Sequence, residues 1–171
     1  MTALVEKSLL VSVAQEGEEP RFVMLETVRE YGLEALREHG ESEASHQAHA
    51  AFYLELAEQA DARLKGAGQQ VVWLKRMIQD QANLRAALSW FLEQRDAQSL
   101  LQLSGALRWY LTIRGSRNEA LDWLHTAFQL PGARAPTAAR ARALCGAGFL
   151  TVYLQNRGQE GLALLEESSN P

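Results

Sequence analysis

The apolar positions of this chain change period once. LLVSVAQ (9–15) mixes β-branched and other apolar residues over seven positions, and RFVMLE (21–26) has the same character. Between them EGEEP supplies Gly17 and Pro20, residues that punctuate a turn. The pattern predicts a β-hairpin preceded by a short helix over 2–8. Two strands alone are marginal in water, so the hairpin is expected to lean on the helix after it. Period-2 alternation offers two sets for that contact, Phe22 with Met24 or Val23 with Leu25. One set is expected to pack on Tyr31, Leu33 or Leu36, and sequence does not choose between them.

After Glu26 the period becomes 3.6. Thr27-Val28-Arg29-Glu30 has the spacing of a capping box. Val28, Tyr31, Leu33 and Leu36 form an apolar stripe that Gly40 ends. A longer helix is expected from Glu43 to Leu64, with Phe52, Tyr53, Leu56, Ala60 and Leu64 inward. Gly66 and Gly68 break it. A third is expected over 69–94, with Val71, Leu74, Ile78, Leu84, Leu88 and Phe91 on one side.

The remaining helices come in pairs. Leu100 to Ile113 is a helix, Gly115 a tight turn, Ser116-Arg117-Asn118-Glu119 a second capping box, and Ala120 to Leu130 a return helix closed by Pro131-Gly132. Thr137 opens a helix to about Gln155, Gly158 turns, and a helix over 160–168 completes the pair. Two helix–turn–helix units of about 30–35 residues are the signature of a helical solenoid. The second stops at Ser169-Asn170-Pro171, where a further repeat is expected, so the chain reads as a piece of something longer.

Residues 100–131, LLQLSGALRWYLTIRGSRNEALDWLHTAFQLP, resemble a tetratricopeptide repeat. Gly115 holds the turn, Ala120 the close contact, Leu124 and Ala127 the packing face, and Pro131 the exit. Arg108 departs from the repeat, which usually keeps a small residue there. In the unit at 140–168, Gly146 and Gly148 supply small positions, and Gly161 stands where Ala is expected.

A second resemblance covers most of the chain. LVEKSLL (4–10), RFVMLETVREYGLEAL (21–36), HAAFYLELAEQADARLKG (49–66) and WLKRMIQDQANLRAAL (73–88) occur in that order. The order resembles bacterial signal-transduction ATPase regulators, often called LuxR-type or AfsR-like transcriptional activators, just after their nucleotide-binding module. The resemblance implies that 1–40 is the last helix, wing and closing helix of a winged-helix domain. It implies that 41–171 begins a tetratricopeptide-like sensor superhelix. Asp80-Gln81-Ala82-Asn83 departs from the Glu-His-Asp-Asn usual in that family. Met24-Leu25-Glu26 aligns with the Met-His-Asp motif of related nucleotide switches, where the histidine approaches the bound diphosphate. Leu25 can make no such hydrogen bond. The segment is therefore a candidate switch contact only through its backbone or Glu26.

Charge and chemistry narrow the function. The net charge of −4 divides into −8 over residues 1–60 and +4 over the rest, which is not the concentrated basic face of a nucleic-acid binder. The 2–8 helix offers Lys7 against Glu6, and the wing carries Glu16, Glu18 and Glu19, which repel phosphate. There is no phosphate loop, no G-x-G-x-x-G after a strand and no G-x-S-x-G elbow. No cofactor is expected in this chain, and ATP or ADP is implied only for an upstream module. A single Cys145 excludes a disulfide framework and fits a cytoplasmic protein. Set between small residues on a helix, it is expected to be a packed thiol. His46 and His49, with Glu43 a turn earlier, have the spacing of metal ligands. No fourth ligand presents itself, and a solvated face is expected. Trp73, Trp90, Trp109, Tyr110, Trp123 and Tyr153 are expected to fill grooves between helices. Arg108, Arg114 and Arg117 with Trp109 are the candidate binding surface for a partner or effector. Arg134, Arg140 and Arg142 are expected to be solvated.

The fold expected is all-α, a helical superhelix with a β-hairpin at its front. The function expected is non-catalytic. It is the sensor region of a transcriptional regulator, coupling effector or partner binding on the superhelix to an upstream nucleotide switch, with no direct contact to nucleic acid or membrane. The alternative is a helical-repeat scaffold for protein–protein contacts without a switch.

Overall fold

A computed structural model describes residues 5, 7, 9–13, 21–66, 68–155 and 158–169. The expected helix over 2–8 and the hairpin turn around Gly17 lie almost wholly outside those residues. Among the described residues there are two strands, β1 (Leu10–Val13) and β2 (Arg21–Met24), and eight helices. The helices are α1 (Glu26–Glu38), α2 (Ser42–Lys65), α3 (Gln70–Gln79), α4 (Gln81–Glu93), α5 (Ala97–Ile113), α6 (Arg117–Phe128), α7 (Ala138–Gln155) and α8 (Gly158–Ser169). The fold is all-α with a small antiparallel hairpin. The chain divides into two compact units, residues 1–45 and 46–171.

In the first unit β1 and β2 pair with Leu10 opposite Met24, Val11 opposite Val23, Ser12 opposite Phe22 and Val13 opposite Arg21. The expected burial of one apolar set is not found. Phe22 and Met24 are 36% and 37% exposed, Val23 and Leu25 55% and 54%, and Tyr31 is exposed as well. Apolar residues on both faces of a ribbon this narrow cannot all be covered by a single helix, and α1 has no buried residue. The helix begins two residues earlier than the capping-box spacing predicts. Leu25 is its N-cap and makes no side-chain cap, and Thr27 lies inside the first turn. Its end agrees with expectation. Gly40, at φ +70°, takes the left-handed conformation that closes helices, and the chain folds back with Glu41 N–H on the Leu36 carbonyl at 2.8 Å.

The second unit holds the core. Leu56, Ala57, Ala60 and Leu64 from α2 join Met77 of α3, Leu84, Leu88 and Phe91 of α4, and ten buried positions of α5. Leu124 and Ala127 of α6 and Ala143, Ala147 and Leu150 of α7 complete it. Three expectations fail here for definable reasons. Phe52 points to solvent, because inward Leu56, Ala60 and Leu64 fix a phase that leaves it outside. The expected helix over 69–94 is two helices meeting at Asp80, whose backbone (φ −94°, ψ 8°) is not helical. Its side chain is buried, with Tyr53 Oη 3.4 Å from Asp80 Oδ1 and the Asn83 amide donating to Tyr53 Oη at 2.8 Å. The break resets the helical phase, so Leu84, Leu88 and Phe91 face inward while Val71 and Ile78 face out. Cys145 is exposed rather than packed, since Leu144, Gly146 and Ala147 take the inward positions around it.

The paired helices form as expected. α5 packs on α6, α7 on α8, and α5 also on α7. Trp73, Trp90, Trp109 and Trp123 are half-buried and fill the grooves against the core, and Tyr110 is fully buried. The expected position of Tyr153 on a helix is met, while its side chain lies outside the described residues. Thr137 caps α7, its hydroxyl accepting from Arg140 N–H at 3.2 Å while donating to Gln98 Oε1 at 2.7 Å. Arg140 is not solvated as expected. It lies over the Phe128 ring, 5.9 Å from its centre, donates to the Ala133 carbonyl at 2.7 Å and pairs with Glu167.

Candidate functional site

The candidate residues do not form one cluster. Arg108, Trp109, Arg114 and Arg117 occupy the end of α5 and the start of α6, but consecutive helical residues turn by about 100°. Arg108 therefore faces α7, where its side chain lies across Gly146. Trp109 is half-buried against the core. Only Arg114 and Arg117 are exposed at the turn itself. Gly115 makes that turn at φ +79°, a conformation that costs glycine little.

Beyond the turn, Gly115, Ser116, Arg117, Asn118 and Glu119 line an open concavity of about 500 Å³. Ser116 is the N-cap of α6, but its side chain makes no capping bond. Glu119 is drawn away from the expected capping box by Arg85 of α4. Arg85 Nε donates to Glu119 Oε1 at 2.8 Å and Nη2 to Oε2 at 2.9 Å. This bidentate fork ties α4 to α6. It was not legible from spacing, because its partners lie 34 residues apart.

Tyr110 lies near the same charges. Its hydroxyl is buried and makes no well-formed hydrogen bond, with the Arg114 guanidinium close to it. Burial raises its pKa above the ordinary phenol value, opposed by the charge of Arg114 and its hydrogen-bonding approach and by the charge of Arg85, and reinforced by Glu119. The result is a cationic, solvent-open turn with a dry phenol close to it. Among the described residues that line it, no nucleophile stands beside a base.

The second candidate segment is divided differently. Met24 ends β2 opposite Leu10, and Leu25 is the exposed N-cap of α1. The Glu26 carboxylate accepts from Arg29 Nε at 3.0 and 3.1 Å and from Nη2 at 2.6 Å. Those bonds hold its pKa below the usual carboxylate value. Glu26 is thus engaged within its own helix.

The histidines at the candidate metal spacing have aromatic neighbours. The His46 ring stacks on Trp90, 5.0 Å between centres and 16° between planes, and His49 lies 4.7 Å from Tyr53. Among the described residues no three His, Cys, Asp or Glu side chains are grouped so as to hold a metal ion. No described helix is long and apolar enough to cross a membrane.

Comparison with known proteins adds an independent line. The chain is 31% identical, over an alignment of 184 positions that covers all of it, to a Mycobacterium tuberculosis protein named as a candidate HTH-type transcriptional regulator. A Mycobacterium bovis protein of the same kind of name matches to the same extent. The chain spans about a fifth of the length of these relatives (20%). No protein-family profile matches the chain, and no solved structure matches it.

Proposed function

We propose that this chain is a non-catalytic interaction region of a transcriptional regulator, in which helical pairs receive an effector or partner protein and pass that event to the rest of the regulator. The observation that carries the reading is the similarity running through the whole chain, hairpin and helical pairs together, to proteins named as candidate HTH-type regulators. The packing supports it. Stacked pairs such as α5–α6 and α7–α8 contact chiefly their neighbours, so a ligand that shifts one pair alters the curvature presented by the next. A winged-helix end leading into a tetratricopeptide-like superhelix, with a nucleotide switch upstream, is the finer form of the same proposal. Arg114 and Arg117 at the α5–α6 turn are its receiving residues, and the Met24–Glu26 segment is its contact toward the switch.

Chromatin immunoprecipitation of the tagged product of the gene encoding this chain tests the reading. Enrichment at discrete promoters is expected. A uniform background over the chromosome contradicts regulation and leaves the helical scaffold as the function.

A further inference from the structure

Within the second unit the helices follow one another as α2 with α3 and α4, then α5–α6, then α7–α8. α7 packs on α5, α6 and α8. Two ion pairs between helices keep to that order. Arg85 with Glu119 joins α4 to α6, and Arg140 with Glu167 joins α7 to α8. A third pair skips a step. Arg142 of α7 reaches past α5 to Glu58 of α2, Nη1 donating to Oε1 at 3.5 Å across 84 residues of sequence.

Glycine clears the path of that side chain. A β-carbon at Gly105 of α5 would already touch Arg142 Cδ at 3.9 Å, so a larger residue there would stand in the way. One turn further on, Arg108 of α5 lies across Gly146 of α7. The two helices thus exchange arginines in register, each stem lying over the other's glycine. In a stack of helical pairs, a side chain can bridge to the next pair but one only on the inner side of the bend, where helices converge. The side chains of Arg142 and Glu58 are 46% and 44% exposed, so dissolved ions reach the pair and screen it.

We propose that Glu58–Arg142 is a salt-sensitive strut that sets the curvature of the helical stack. Closed, it holds α7–α8 at a fixed spacing from α2. Opened, it lets α7–α8 swing outward about the α5–α7 seam. The seam itself survives the opening, because Ala143, Ala147 and Leu150 of α7 are buried in the core. An exposed pair moves such an equilibrium by about fivefold at most, which suits a device that adjusts curvature without unfolding the chain. The inference does not rest on the regulatory reading above.

The test places nitroxides at Ala51→Cys on α2 and Ala163→Cys on α8, both exposed positions, in a Cys145→Ser background that removes the one native cysteine. Double electron–electron resonance reads the distance between them. At low salt a main short distance is expected with a minor longer one. The longer component should gain about two- to fivefold in about 1 M NaCl, where charges are screened within about 3 Å. Arg142→Gln and Glu58→Gln should each produce the same gain at low salt, with melting temperatures near that of the parent. The exchange Glu58→Arg with Arg142→Glu should restore both the short distance and its response to salt. Identical distributions in the parent and in Arg142→Gln overturn the inference. So does failure of the exchange to restore the short distance, or a salt response that persists undiminished in Arg142→Gln.

Discussion

The Arg108 side chain lies across Gly146 so closely that a β-carbon at residue 146 would stand 2.5 Å from Arg108 Cδ and 3.0 Å from its Nε. Arg108 is the large residue where the repeat pattern keeps a small one, and Gly146 is the small residue on the facing helix. The departure at Arg108 is accommodated by the glycine that faces it across the α5–α7 seam. Gly146→Val is expected to destabilise the chain by about 1–3 kcal/mol through overpacking. In the Arg108→Ala background the same change should cost much less, so the two are coupled. Urea denaturation of the four members of the cycle measures this, and additive effects would contradict it.

A second close approach has no flexible side chain to yield. A β-carbon at Gly161 would collide with Val152 Cγ2 and stand 2.8 Å from the Gly148 carbonyl oxygen and 2.9 Å from Val152 N. Alanine in a helix interior normally gains up to about 1 kcal/mol over glycine. Here Gly161→Ala is expected to lower stability instead, because backbone must separate along the α7–α8 crossing. A raised melting temperature for this variant would contradict that crossing.

Ala120 is fully buried at the start of the α6 return helix. Ala120→Trp is expected to cost about 1–3 kcal/mol or more. Glu119→Gln loses one charge of the fork with Arg85, whose side chain is 51% exposed, and exposed pairs contribute at most about 1 kcal/mol. The larger loss should therefore fall on Ala120→Trp. Thermal unfolding of both variants beside the parent decides the order, and an unchanged midpoint for Ala120→Trp would remove the paired-helix assignment.

The buried Tyr110 hydroxyl makes no well-formed hydrogen bond and has the Arg114 guanidinium beside it, so Tyr110→Phe removes a poorly satisfied polar group without opening a cavity. Stability at neutral pH should hold or rise, since an unsatisfied buried group costs about 1–3 kcal/mol. The raised pKa sets the sign of the pH dependence. Above the ordinary phenol value of about 10 the unfolded chain releases this proton while the folded chain keeps it. Stability is then lost as pH rises from there through the folded pKa. Tyr110→Phe should lessen that alkaline loss. Denaturation at pH 7 and across the alkaline range tests both, and a large loss at pH 7 would reveal a hydrogen bond to the hydroxyl.

Which features were legible in the sequence depends on how locally their forces act. The α5–α6 pair was legible because Gly115, Ala120, Leu124 and Ala127 each obey a local or near-neighbour rule. The break at Asp80 was not, because the apolar period runs through it. Contacts with Asn83 and with Tyr53, 27 residues away in sequence, help hold the buried aspartate there. Ser116-x-x-Glu119 has the spacing of a capping box, yet a remote arginine prevails over the local bond. Cys145 misled for a related reason. Small neighbours mark a close helix contact, but Gly146 and Gly148 carry it and the thiol sits on the other side. Of the candidate surface, Arg114 and Arg117 were placed by their nearness to a turn, whereas the seam role of Arg108 required knowing which helix faces it.

On this account the helical pairs influence transcription by receiving a partner or effector at the α5–α6 turn. The most direct test is transcript profiling of a strain carrying Arg114→Glu and Arg117→Glu in the gene for this chain. Both residues are exposed, and the purified double variant should melt with the parent. A defined set of transcripts should change relative to the parent strain while promoter occupancy of the tagged product stays the same. A transcriptome indistinguishable from the parent, with the variant folded and present at parental levels, would contradict the account.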